Sequence, residues 1–82
     1  MMTFVVERVE PIIKRFEADL AVKYVQAKVV SISDYEVFEL QRSDGSRFDF
    51  EVSGLECMRL NNSQLKALIR GRIESKIKSL TP

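Results

Sequence analysis

Eighty-two residues with 13 basic and 12 acidic side chains, 45% hydrophobic content and a net charge of +1 describe one small globular domain, too apolar for disorder and too balanced in total charge to name a partner. With no His and a single Cys, the chain has no internal disulfide, no zinc site of ordinary ligand count and no copy of the commonest acid–base catalyst. A domain this short buries only about 60–65% of its extended surface, which makes oligomerisation an expected source of added stability.

In the first segment Val5, Val9, Ile12, Phe16 and Leu20 recur at helical spacing, with Val6 and Ile13 beside them and charged residues on the other side. Pro11 removes one helical hydrogen bond and biases Glu10 away from helical angles. The spacing predicts one kinked helix from about Phe4 to Ala21. The competing reading starts the helix at Pro11 and leaves Thr3 to Val9 extended, as a fourth strand.

Three strands follow, and the stretch Ser43-Asp44-Gly45 sets their register. A two-residue loop at Asp44-Gly45 would set Leu40 against Asp49 and Phe38 against Glu51, mixing apolar and charged residues on one sheet face. A three-residue loop with Gly45 in the left-handed region instead pairs Arg42 with Ser46, Leu40 with Phe48 and Phe38 with Phe50. Upstream, a tight turn at Ser33-Asp34 would set Ala27 opposite Leu40 and Val29 opposite Phe38. The expected buried face is then Val25, Ala27, Val29, Phe38, Leu40, Phe48 and Phe50.

Ser53-Gly54 breaks the third strand, and Leu55 to Leu60 is a connector too short to classify. Asn61, Asn62 and Ser63 are candidate N-caps, and Asn61 with Gln64 has the spacing of a capping box. The last helix is expected to run to about Ser79 with the apolar stripe Leu65, Ile69, Ile73, Ile77 and Leu80. The resulting fold class is α+β: two layers in the order α-β-β-β-α, a three-stranded antiparallel meander with the N- and C-terminal helices packed on one face.

Chemistry-bearing residues are sparse. Cys57 sits between Glu56 and Met58, and a neighbouring carboxylate raises a thiol's pKa, so a buried, inert Cys is expected. Glu36, Asp49 and Glu51 are carboxylates of the sheet, with nothing to separate them from a solvated face. Gly45, Gly54 and Gly71 form no phosphate-binding pattern. The expectation is a non-enzymatic chain with no cofactor, no metal and no small-molecule substrate. No apolar run approaches the ~20 residues of a membrane span. The N-terminus lacks a basic region followed by an apolar stretch and a cleavage site, so a cytoplasmic chain is expected.

Charge is divided unevenly: residues 62 to 82 carry a net +4 and residues 1 to 61 a net −3. Lys66, Arg70, Arg72, Lys76 and Lys78 make the last helix a candidate nucleic-acid contact, since basic side chains on phosphates supply most non-specific affinity. At about 100° per residue, however, Lys66 and Arg70 fall on one flank of the apolar stripe and Arg72 and Lys76 on the other. The order helix, three strands, helix resembles the double-stranded RNA-binding domain, which implies recognition of an A-form duplex by the helices and a strand-connecting loop. The likeness is one of topology. That family's second helix opens with a glycine and a lysine cluster, whereas Leu60-Asn61-Asn62-Ser63-Gln64-Leu65-Lys66 holds one lysine, and the duplex-binding loop shrinks to Ser33-Asp34. No residue carries over.

The outer sheet face gives the leading functional expectation. The register above sets Val30 opposite Val37 and Ile32 opposite Tyr35, an apolar cluster ringed by Gln26, Lys28, Glu39, Gln41, Arg47, Asp49 and Glu51. Val30, Ile32, Tyr35 and Val37 are thus the candidate interface of a small protein-binding or regulatory module, a homodimer or a domain that meets another protein.

Overall fold

The computed structural model describes residues 3–30 and 34–80. The chain forms α1 (Phe4–Leu20), β1 (Val22–Val29), β2 (Tyr35–Arg42), β3 (Arg47–Ser53), α2 (Gly54–Arg59) and α3 (Asn62–Leu80). The strands make one antiparallel sheet in the order β1-β2-β3. It is an α+β fold with the helices against one sheet face, as the apolar spacing predicts, and the Leu55–Leu60 connector contributes the additional short helix α2.

α1 is a single helix that runs through Pro11, so Thr3 to Val9 is not a fourth strand. Thr3 caps it by accepting from the Val6 N–H at 3.1 Å. Proline deprives the Glu7 carbonyl of its helical donor, but Glu7 and Pro11 both lie on the exposed side, where water replaces that bond. The other side buries Val5, Val6, Val9, Ile12 and Ile13. Ala21 ends the helix in the left-handed region, at φ 53°.

The β2–β3 hairpin has the expected register, with Leu40 opposite Phe48 and Phe38 opposite Phe50. Arg42 N–H donates to the Ser46 carbonyl at 2.8 Å, and Gly45 holds φ 89°. The Phe38 and Phe50 rings stack at 5.8 Å between centroids. These residues, with Val52, the α1 stripe, Cys57 and Leu65, Ile69 and Ile73 of α3, form one core.

The β1–β2 register departs from expectation by two residues: Ala27 lies opposite Phe38 and Val29 opposite Glu36. Asp34, expected in the turn, is held elsewhere. Its carbonyl accepts from Gly54 N–H at 2.6 Å and its carboxylate from Leu55 N–H at 3.2 Å, tying it to the start of α2. A bulge between Tyr24 and Gln26 then shifts the pairing once more, leaving Val25 without a cross-strand partner and turning Tyr24 to the inner face opposite Leu40. Val25 is therefore only half-buried and Val29 is 59% exposed, so neither belongs to the core. Ser33, the other half of the expected turn, lies outside the described residues.

The two left-handed positions give opposite predictions. A Cβ at Gly45 meets no neighbouring atom within 4 Å, so the expected cost of Gly45→Val is chiefly backbone strain at positive φ, about 1 kcal/mol or more. Ala21→Gly relieves the same kind of strain and is expected to stabilise by about 0.5–1 kcal/mol. Urea titration of the two variants checks both signs; equal stability of Gly45→Val and the parent would contradict the loop assignment.

Candidate association surface

All the buried apolar side chains of β2 and β3, at positions 38, 40, 48, 50 and 52, share the face that the helices cover. The opposite face carries Gln26, Lys28, Tyr35, Val37, Glu39, Gln41, Arg47, Asp49, Glu51 and Ser53. Glu39 organises its polar half, accepting from Gln26 Nε2 at 2.9 Å and facing Arg47 at 3.9 Å. Those partners hold its carboxyl below the usual range, the Gln26 hydrogen bond foremost.

Of the expected interface, Tyr35 and Val37 lie two residues apart on this face of the central strand, both half-buried. Val37 is paired with Lys28 and Glu51 and not with Val30, because of the shifted β1 register. Val30 follows β1 and is half-buried; Ile32 lies outside the described residues. The most exposed large apolar residues are Phe4, Val29, Leu55, Met58 and Leu80, none of which the sequence reading placed at an interface. Solvent exposure at helix starts and strand ends leaves no periodic signal.

The basic side chains of α3 separate. Arg72 is turned inward, donating to Glu56 at 2.9 and 2.5 Å and to the Glu51 carbonyl at 2.7 Å. Arg70 lies over the Phe16 ring at 5.4 Å and within 3.7 Å of Asp19 and 3.6 Å of Glu74. Lys66 lines a groove of about 460 Å³ with Arg8 and Arg15 of α1, Lys76 lines another on the β3 side together with Arg72, and Lys78 is exposed in the last turn. These five residues do not share a surface.

Three other groups bear on chemistry. Cys57 is buried, and desolvation foremost pushes its thiol pKa up, against nucleophilic use. Tyr24 is raised to about 12 by burial and by the Glu10 carboxylate it meets. Glu36 is 7% exposed, on the inner face opposite Val52, and its Oε2 has no hydrogen-bond partner among the described residues. Since Asp49 and Glu51 project from the outer face, the sheet carboxylates do not converge. No cluster suited to a metal ion occurs among the described residues, and no helix there is long and apolar enough to cross a membrane. No known protein family, curated protein or solved structure matches the chain.

Two stability measurements test these assignments. Hydrogen bonding to Arg72 foremost, with the Ser53 N–H and the guanidinium charge, holds the Glu56 carboxyl at about 2 against an ordinary 4.5. A depressed folded-state pKa means that the pair's stabilisation is present above about pH 4.5 and is lost as pH falls toward 2. The stability gap between the parent and Glu56→Gln should therefore be widest near neutrality and shrink through that window in urea titrations. Glu36→Met replaces a buried, unpaired acceptor at similar volume and should raise stability by about 1 kcal/mol. A loss instead would show that the carboxylate makes a stabilising contact.

Proposed function

We propose that this domain is a non-enzymatic protein-binding or regulatory module that associates with a second copy of itself through the outer face of its sheet. The observation that carries the reading is the placement of every helix on one face, which leaves Tyr35 and Val37 of the central strand on the other, with Val30 the residue that follows the end of β1. Lys28, Glu39, Asp49 and Glu51 frame them, an apolar centre within a charged rim. Full burial of each such side chain contributes about 1.5–3 kcal/mol before association costs. The single Cys, free and buried, fits a reducing compartment, and we place the protein in the cytoplasm.

Light scattering tests the reading. The wild type should exceed monomer mass at high micromolar concentration and should keep that mass in added salt, since apolar contacts are not screened. Val30→Thr with Val37→Thr preserves shape and strand preference and removes the apolar centre. This variant should stay folded by circular dichroism and associate about tenfold more weakly or worse. A monomeric wild type, or one that instead retains duplex RNA or DNA only at low salt, would replace this reading.

A further inference from the structure

β3 is an edge strand whose edge is only half blocked. Antiparallel ladders alternate, so the Arg42–Ser46 bond makes Leu40–Phe48, Phe38–Phe50 and Glu36–Val52 the hydrogen-bonded pairs with β2. The N–H and C=O groups of Arg47, Asp49, Glu51 and Ser53 then point away from the sheet. Two of these positions are occupied by side chains: Arg72 Nη1 donates to the Glu51 carbonyl at 2.7 Å, and Ser53 N–H donates to Glu56 Oε1 at 3.0 Å. Arg47 and Asp49 are exposed, and the strand from Asp49 to Ser53 borders an open groove of about 510 Å³ with Arg72, Ser75 and Lys76 on its far wall.

We infer that this edge pairs, antiparallel, with the β3 edge of a second copy about a two-fold axis at Phe48, so that Arg47 of each copy lies opposite Asp49 of the other. The contact is separate from the outer-face one. Charge selects the register. An axis at Asp49 would set that carboxylate against itself and would need the Glu51 carbonyl that Arg72 holds. An axis at Arg47 would set two guanidinium groups face to face. The axis at Phe48 pairs unlike charges twice and brings Phe48 opposite its own copy on the inner face. It also leaves Arg72 in place, because Gly45, the residue due opposite Glu51, donates its N–H to Arg42 within its own hairpin at 3.0 Å. The ladder is thus limited to about four backbone hydrogen bonds and is blocked at both ends, so the edge contact by itself joins two copies and does not propagate along the strand. The hairpin of the second copy runs along the groove, carrying the Asp44 carboxylate toward Lys76.

Sedimentation equilibrium in the Val30→Thr/Val37→Thr background isolates the edge. That protein should still dimerise at high concentration. Arg47→Asp sets carboxylates against each other, and Asp49→Arg sets guanidinium groups against each other, so each should weaken self-association about tenfold or more. Mixing the two variants restores both unlike pairs, and the mixture should form a heterodimer that neither forms alone; Arg47→Asp/Asp49→Arg on one chain should recover self-association. If the background variant is monomeric while the wild type associates, edge pairing is overturned and the outer-face reading stands. Dimerisation indifferent to the charge changes overturns this register. If the background variant matches the wild type and responds to the charges, the edge is the contact and the outer face is not.

Discussion

The left-handed conformation of Gly45 is the constraint on which the remaining architecture depends. It lets the β2–β3 loop close over three residues, and the odd loop length decides that Leu40 meets Phe48 and Phe38 meets Phe50. Side chains alternate along a strand, so a slip of one residue would turn Phe48 and Phe50 outward and bring Asp49 and Glu51 beneath the helices. Both helices of substantial length need that apolar surface. α1 has Val9 and Ile13 fully buried and α3 has Leu65, Ile69 and Ile73, and both stripes share one core with the stacked Phe38 and Phe50 rings. Among the described residues, the buried apolar side chains of both helices and of the sheet form one cluster.

A second group of contacts fixes how the sheet hands over to the helices. Ser53 and Glu56 form a capping box at the start of α2, each side chain satisfying the other's backbone N–H. Glu56 also takes Arg72 from α3, so one carboxylate links the end of β3, the start of α2 and the middle of α3. Asp34, just before β2, grips the same junction, and a Cβ at Gly54 would lie 2.9 Å from the Asp34 Oδ1, so a larger residue there would push that carboxylate aside. On the far side Arg8 of α1 donates to the carbonyls of Cys57 and Leu60 and to Asn62, closing the C-terminal end of α2 against the start of α3. A six-residue helix, too short to hold itself together, is thereby secured at both ends.

What the sequence discloses follows from how local each cause is. The Gly45 loop, the Asn61–Gln64 capping box and the first three members of the Leu65-Ile69-Ile73-Ile77-Leu80 stripe each rest on residues within a turn or two of one another and are present as read, whereas Ile77 is only partly buried and Leu80 is exposed. The Ser53–Glu56 box was equally legible from its spacing, and would have marked α2. The burial of Glu36 was legible too, since it shares strand parity with Phe38 and Leu40. The β1 register was not. It depends on Asp34 being drawn to the α2 start, a contact across about twenty residues, and on a bulge at Val25 that no Gly or Pro announces. The expected Val30–Val37 pairing inherits that displacement, whereas the outer-face location of Tyr35 and Val37 does not, because an even shift preserves the face.

The charge division of the sequence shows why a segment's net charge is a poor guide to its surface. The final 21 residues are strongly basic, yet α3, which holds all of those basic side chains, packs against the more acidic α1 and β3. Arg72 meets Glu56 from α2, and Arg70 meets Asp19 from α1 over the Phe16 ring. Each arginine arrives through the apolar face it flanks: residues beside a buried stripe lie at the margin of the interface, where a long side chain reaches the neighbouring element. The Arg72–Glu56 pair is partly shielded and held by two hydrogen bonds, whereas Asp19 beside Arg70 stays exposed and that contact is a loose surface pair. The sheet's outer face and open edge also carry exposed charge, with Arg47 followed by Asp49 and Glu51 on one face of β3. A change of sign along an exposed strand, as between Arg47 and Asp49, discriminates between registers of pairing, a property that uniform charge lacks.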